Sequence, residues 1–189
     1  MKKIIIGLNI IVALSPALAS AKNMSGAYVG GVIGVTQFEF SSEDKAWIAD
    51  GSGAIDDSDT GFKLFGGYQF NRYTAIEGFY ADLGGVKIKY PNEELKMNTG
   101  ANSFGVSGLG ILPVSDNLEI FAKVGLQSWN AKLINKDGLF VGDNGTDLIF
   151  GVGVAFRVAQ VSLRGEFERY DFDDTNVEMI SVGINYNFY

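Results

Sequence analysis

The stretch that decides the fold is ISVGINYNFY, residues 180–189. Ile180, Val182, Ile184, Tyr186 and Phe188 alternate with Ser181, Gly183, Asn185 and Asn187. A period of two is a strand period, and here it sets an apolar, aromatic face against a small, amide-rich one. The pattern recurs upstream. Phe62, Leu64, Gly66, Tyr68 and Phe70 oppose Lys63, Phe65, Gly67 and Gln69. Leu118, Ile120, Ala122, Val124 and Leu126 oppose Glu119, Phe121, Lys123, Gly125 and Gln127. Val161, Leu163, Gly165 and Phe167 oppose Ser162, Arg164, Glu166 and Glu168.

Eight such segments lie at about 26–40, 61–70, 73–83, 100–112, 118–129, 147–158, 161–170 and 177–189. Their connections alternate in length. Segments 41–60, 84–99, 130–146 and 171–176 are long and polar, whereas Asn71-Arg72, Pro113–Asn117 and Ala159-Gln160 are short. This is the rhythm of an up-and-down meander. Charges collect on one side of the strands: Lys63, Glu77, Glu119, Lys123, Arg157, Arg164, Glu166 and Glu168, balanced in sign. The apolar faces carry almost no charge; the exceptions Asp82 and Arg169 fall at strand ends beside long connections. A charged Lys or Arg at mid-bilayer costs about 2–4 kcal/mol, so uncharged outer faces around a polar, charge-balanced interior imply an all-β, eight-stranded antiparallel transmembrane β-barrel. The alternative is a soluble eight-stranded barrel around a ligand cavity, with the apolar face turned inward. In the membrane register, charge placed at Val152 or Val182 is expected to disrupt insertion far more than the same change at Gly153 or Gly183.

Composition bounds the rest. The chain has 189 residues and a net charge of −7, with no Cys and no His. Lys2 and Lys3, the apolar run Ile4–Leu14, Pro16 and the small residues 17–21 read as a secretory signal peptide over 1–21, leaving 22–189 as the barrel domain. Cleavage after Ala19 is a second frame. No later apolar run approaches the roughly 18 residues of a spanning helix. An acidic exported chain is a poor nucleic-acid ligand. Without His, Ser–His and Asp–His catalysis are unavailable, so no enzyme, catalytic residue or cofactor is implied.

GFKLFGGYQFNRYTAIEGFYADLG (61–84), LPVSDNLEIFAKVGLQSW (112–129), LRGEFERY (163–170) and MISVGINYNF (179–188) resemble the transmembrane domain of the OmpA family of bacterial outer-membrane proteins. The resemblance implies an integral outer-membrane barrel with periplasmic termini. The expected role is structural and surface-presenting: envelope integrity, and binding or adhesion through the long connections. The alternative is a narrow pore for ions or small hydrophobic solutes. It also implies that Glu77 and Arg164 match an interior ion pair that has been read as a gate, and that Glu166 and Lys123 match further interior charges. The family's lysine on the fourth strand falls near Gly108–Leu109, so Lys63 or Lys123 would stand in for it. Ser181, Gly183, Tyr186, Phe188 and Tyr189 fit the signal read by the barrel-assembly machinery. OmpA proteins continue into a peptidoglycan-binding domain; this sequence stops after its eighth strand, and cell-wall tethering is not implied. The nearer architecture is that of the stand-alone OmpX-like and OmpW-like barrels.

Remaining features are weaker. Asp56, Asp57, Asp59, Asp171, Asp173 and Asp174 lack EF-hand spacing and read as solvated surface near lipopolysaccharide headgroups, with no dedicated metal site. Trp47 is a candidate binding residue in the first long connection, or equally one that packs on the base of that loop. GVSGLG (105–110) lacks the strand–helix setting of a phosphate loop.

Overall fold

The structure, a computed structural model, describes residues 25–39, 54–56, 58–85, 87–89, 98–134, 140–172 and 175–188. The proposed signal segment, Trp47, Asp57, Asp173, Asp174 and Tyr189 lie outside the described residues. The strands are β1 (Gly26–Glu39), β2 (Ala54–Asp56), β3 (Ser58–Asn71), β4 (Thr74–Asp82), β5 (Lys87–Lys89), β6 (Asn98–Pro113), β7 (Leu118–Ile134), β8 (Phe140–Val158), β9 (Val161–Phe172) and β10 (Thr175–Asn187). Eight of them close into one antiparallel barrel in the order β1-β10-β9-β8-β7-β6-β4-β3, with β1 pairing both β3 and β10. Closure leaves no unpaired edge in the hydrocarbon, the condition for a sheet to cross a bilayer. The short strands β2 and β5 pair separately, joining the first two long connections.

Local chemistry fixes one end. At the first tight turn Asn71 Oδ1 accepts the backbone N–H groups of Tyr73 and Thr74 at 2.8 and 3.1 Å, an Asx turn. At the second, Ser115 Oγ accepts from Leu118 N at 3.1 Å. At the third, Ala159 takes φ = 54°, a left-handed conformation unusual for a residue with a Cβ. Asn187 braces that turn through its backbone N and Nδ2, both donating to Gln160 O at 2.8 and 3.0 Å.

The outer face is apolar and the register aligns it. Ile180, Val182, Leu112 and Leu126 are all more than 60% exposed. Tyr68, Phe70, Tyr186 and Phe188 face outward near the short-turn end, and Phe62, Tyr80 and Phe104 face outward toward the other end. Two aromatic girdles bounding an aliphatic band are the signature of a barrel in lipid. Beyond the upper girdle the outward residues turn polar: Asp82, Asn102, Asn130 and Asn144 stand in one cross-strand row.

Two expectations are corrected. Segment 130–146 is largely ladder, because β7 and β8 stay paired out to Ile134 and Phe140; 41–60 likewise contributes Ser58–Thr60 to β3. Strand pairing continues past the bilayer into water, where the outward face no longer has to be apolar. Second, the interior is polar only in part. Its upper half is filled by Phe38, Phe79, Leu83, Trp129, Phe172 and Met179, all under 9% exposed. Gly153 and Gly183 face inward as the register requires, in places where an added side chain would crowd the neighbouring strands. A Cβ at Gly183 would lie 2.1 Å from Gly31 O, and one at Gly153 2.3 Å from the Phe121 ring.

Candidate functional site: the barrel interior

The six charges at mid-barrel come from four strands. Lys63 stands on β3, Glu77 on β4, Lys123 on β7, and Arg164, Glu166 and Glu168 on β9 at every second position of one face. The barrel bore brings them together. Lys63 Nζ donates to Glu166 Oε2 and Glu168 Oε2, each at 2.7 Å. Lys123 Nζ reaches Glu166, Glu168 Oε1 at 2.9 Å and Glu77 Oε1 at 3.4 Å. Arg164 Nη1 donates to Glu77 Oε2 at 3.0 Å, and Tyr28 OH donates to the same oxygen at 3.1 Å. Arg164 Nε lies 2.9 Å from Glu166 Oε1, an ion contact poorly angled for a hydrogen bond. All six side chains are buried. Three cations face three anions, which is how such charges are accommodated out of water.

Aromatic rings fix the arginine. Its Cζ lies 4.3 Å from the Phe65 ring centroid and 4.6 Å from that of Phe121, the rings coming from β3 and β7. Two such contacts fix the position of the guanidinium and leave its N–H groups to hydrogen-bond in its own plane.

The bore is layered around this network. Toward the short turns lies a cavity of about 40 Å³, bordered by Tyr28, Gln69, Glu119, Arg157, Arg164 and Asn185 among others. Arg157 Nη2 donates to Glu119 Oε2 there at 3.1 Å. Toward the long connections the apolar plug begins. Tyr170 stacks edge-on to Phe79, with centroids 6.2 Å apart. Trp129 packs over Gly145, its cross-strand partner, and against Phe172 at 4.8 Å. The Trp129 indole N–H donates to Asp147 Oδ2 at 2.7 Å.

The structure thus places Glu77, Arg164, Lys123, Glu166 and Lys63 in one network, with Lys123 and not Lys63 reaching Glu77. Sequence reading overlooked Tyr28 and the two rings that grip Arg164. Their signal was present: Phe65 and Phe121 are aromatic residues on a face otherwise polar. Of the residues read as an assembly signal, Ser181 and Gly183 point inward, while Tyr186 and Phe188 face outward and stack edge-on at 5.1 Å. Among the described residues, no group of three or more acidic side chains is arranged to hold a metal ion.

The outer membrane protein beta-barrel domain family matches residues 7–188. Outer membrane protein A of Klebsiella aerogenes is 29% identical over 203 residues, covering all of this chain and 56% of that protein. The Shigella flexneri protein of the same name is 26% identical with the same coverage. The chain therefore spans about half the length of the curated relatives it matches. Among solved structures, Neisserial surface protein A superposes with a TM-score of 0.63 at 17% identity, covering 87% of this chain and 98% of that one. Ail of Yersinia pestis, in complex with the heparin analogue sucrose octasulfate, gives 0.56 at 18% identity, covering 86% and 99%. At such identities these likenesses speak to the fold alone.

Proposed function

Since the chain belongs to the outer membrane protein beta-barrel domain family, we propose that this bacterial outer-membrane barrel is a closed structural element that presents its long connections at the cell surface. The observation that carries this is the filled bore. A neutralised six-charge layer and an aromatic plug lie in series, so an ion would have to displace both. On this reading the short-turn end, with the adjoining ends of β1 and β10, faces the periplasm. The long connections face the lipopolysaccharide layer and the medium. Both glutamates of the Glu166–Glu168 pair are held by lysine ammonium groups, which suits a structural part better than acid–base work.

An extracellular partner would bind through 41–60, 84–99, 130–146 or 171–176. Acidic residues outnumber basic ones in the first and last of these. A polyanion of the kind seen with Ail is therefore a poor match, and a cationic surface a better one. Assembly would proceed through the barrel-assembly machinery, reading the aromatic end of β10. The test is planar-bilayer recording of the purified, refolded chain. No single-channel steps above the lipid baseline are expected. Reproducible steps from the unaltered protein would instead establish a pore.

A further inference from the structure

We infer that the cavity at the short-turn end is a binding site for one small, acceptor-only anion of the halide class, held between Arg164 Nη2 and Gln69 Nε2. Both residues border the cavity, and they are 6% and 3% exposed. Neither nitrogen has a hydrogen-bond partner among the described protein groups. Buried polar groups are otherwise satisfied as a rule, so two unspent donors on one small cavity call for a ligand.

The arginine is aimed. Phe65 and Phe121 both lie against the guanidinium, Glu77 takes Nη1, and Glu166 sits at Nε. Nη2 is left without a hydrogen bond, and Glu166 and Glu168 lie farther along β9 from the short turn than Arg164 does. The network therefore presents a positive tip to the cavity although it is balanced as a whole.

The walls decide the chemistry of the guest. Several of their acceptors are already engaged: Glu119 Oε2 by Arg157, Asn187 Oδ1 by Asn185 Nδ2, and Ser162 Oγ by Asn187 Nδ2. Arg164 Nη2 and Gln69 Nε2 add two unspent buried donors, which suit a ligand with no proton to give. A volume of about 40 Å³ has space for a few water-sized spheres, each needing about 10–15 Å³, and so for a monatomic anion but not an organic acid. Arg157 and Glu119 keep 12% and 11% of their side-chain surface exposed, marking the way in from that end.

Crystals of the full refolded chain soaked in sodium bromide provide the test by anomalous scattering. A bromide peak in contact with both nitrogens is expected. Water at that position overturns the inference, as does bromide confined to surface lysines, which is an adventitious ion only. In solution, the chain in detergent micelles should broaden the chloride NMR line. That excess broadening should fall several-fold in Gln69→Leu, and also in Gln69→Glu, which keeps the shape and adds a repelling charge. Each variant is first shown to be folded by its heat-dependent gel shift. Undiminished broadening from a folded variant overturns the site.

Discussion

Arg164 touches two carboxylates and two aromatic rings, so its replacement tests charge and packing together. Arg164→Ala leaves Lys63 and Lys123 facing Glu77, Glu166 and Glu168. Breaking a buried pair from one side typically costs about 3–5 kcal/mol, because the remaining charge is uncompensated. Glu77→Gln with Arg164→Ala restores two against two. Both variants lose the same stacked guanidinium, so the difference between them isolates the charge. Urea unfolding in lipid vesicles should find the single variant less stable than the double; the reverse order would remove the network's electrostatic account. Alternation in single strands was enough to place every one of these charges inside. It could not show that Phe65 and Phe121 close on Arg164, because meetings across the bore depend on how eight strands are staggered around a ring.

At the scale of the strand, depth matters as much as facing. Val182 lies mid-way along β10 and is 65% exposed, while Val158 ends β8 beside a turn at 58%. Val182→Arg should cost about 2–4 kcal/mol and Val158→Arg about 0–1, since the penalty for charge fades toward the interface. Equal costs in vesicle unfolding would mean that the aliphatic band is misplaced. The end of β10 carries a separate expectation. Tyr186→Ser with Phe188→Ser should leave export intact and block membrane insertion, read by cell fractionation and by loss of the heat-dependent gel shift. A normally inserted double variant would show that these rings act only as lipid anchors. The strands within the membrane were legible because lipid demands strict alternation. The ladder from 130 to 134 and 140 to 146 was not, since in water Asn130 and Asn144 on a paired strand look the same as in a loop. Nor was the crowding at Gly153 and Gly183, which comes from neighbouring strands.

For the whole molecule, the sequence announced a closed barrel with its charges inside but not the order of layers along its axis. That order depends on which residues share a level, and the level is set by register. The upper layer has an optical consequence. The chain has two tryptophans, Trp47 and Trp129. With Trp47→Phe, the remaining indole is enclosed by the bore and never meets an acyl chain. Its fluorescence would shift to the blue when the wall joins around it, not when the strands first enter lipid. Brominated lipid tails, which dim a fluorophore they can touch, should leave it bright throughout; marked dimming would place the ring on the outside. One side chain thus separates insertion from closure, two steps that most spectroscopic signals of barrel folding record as one.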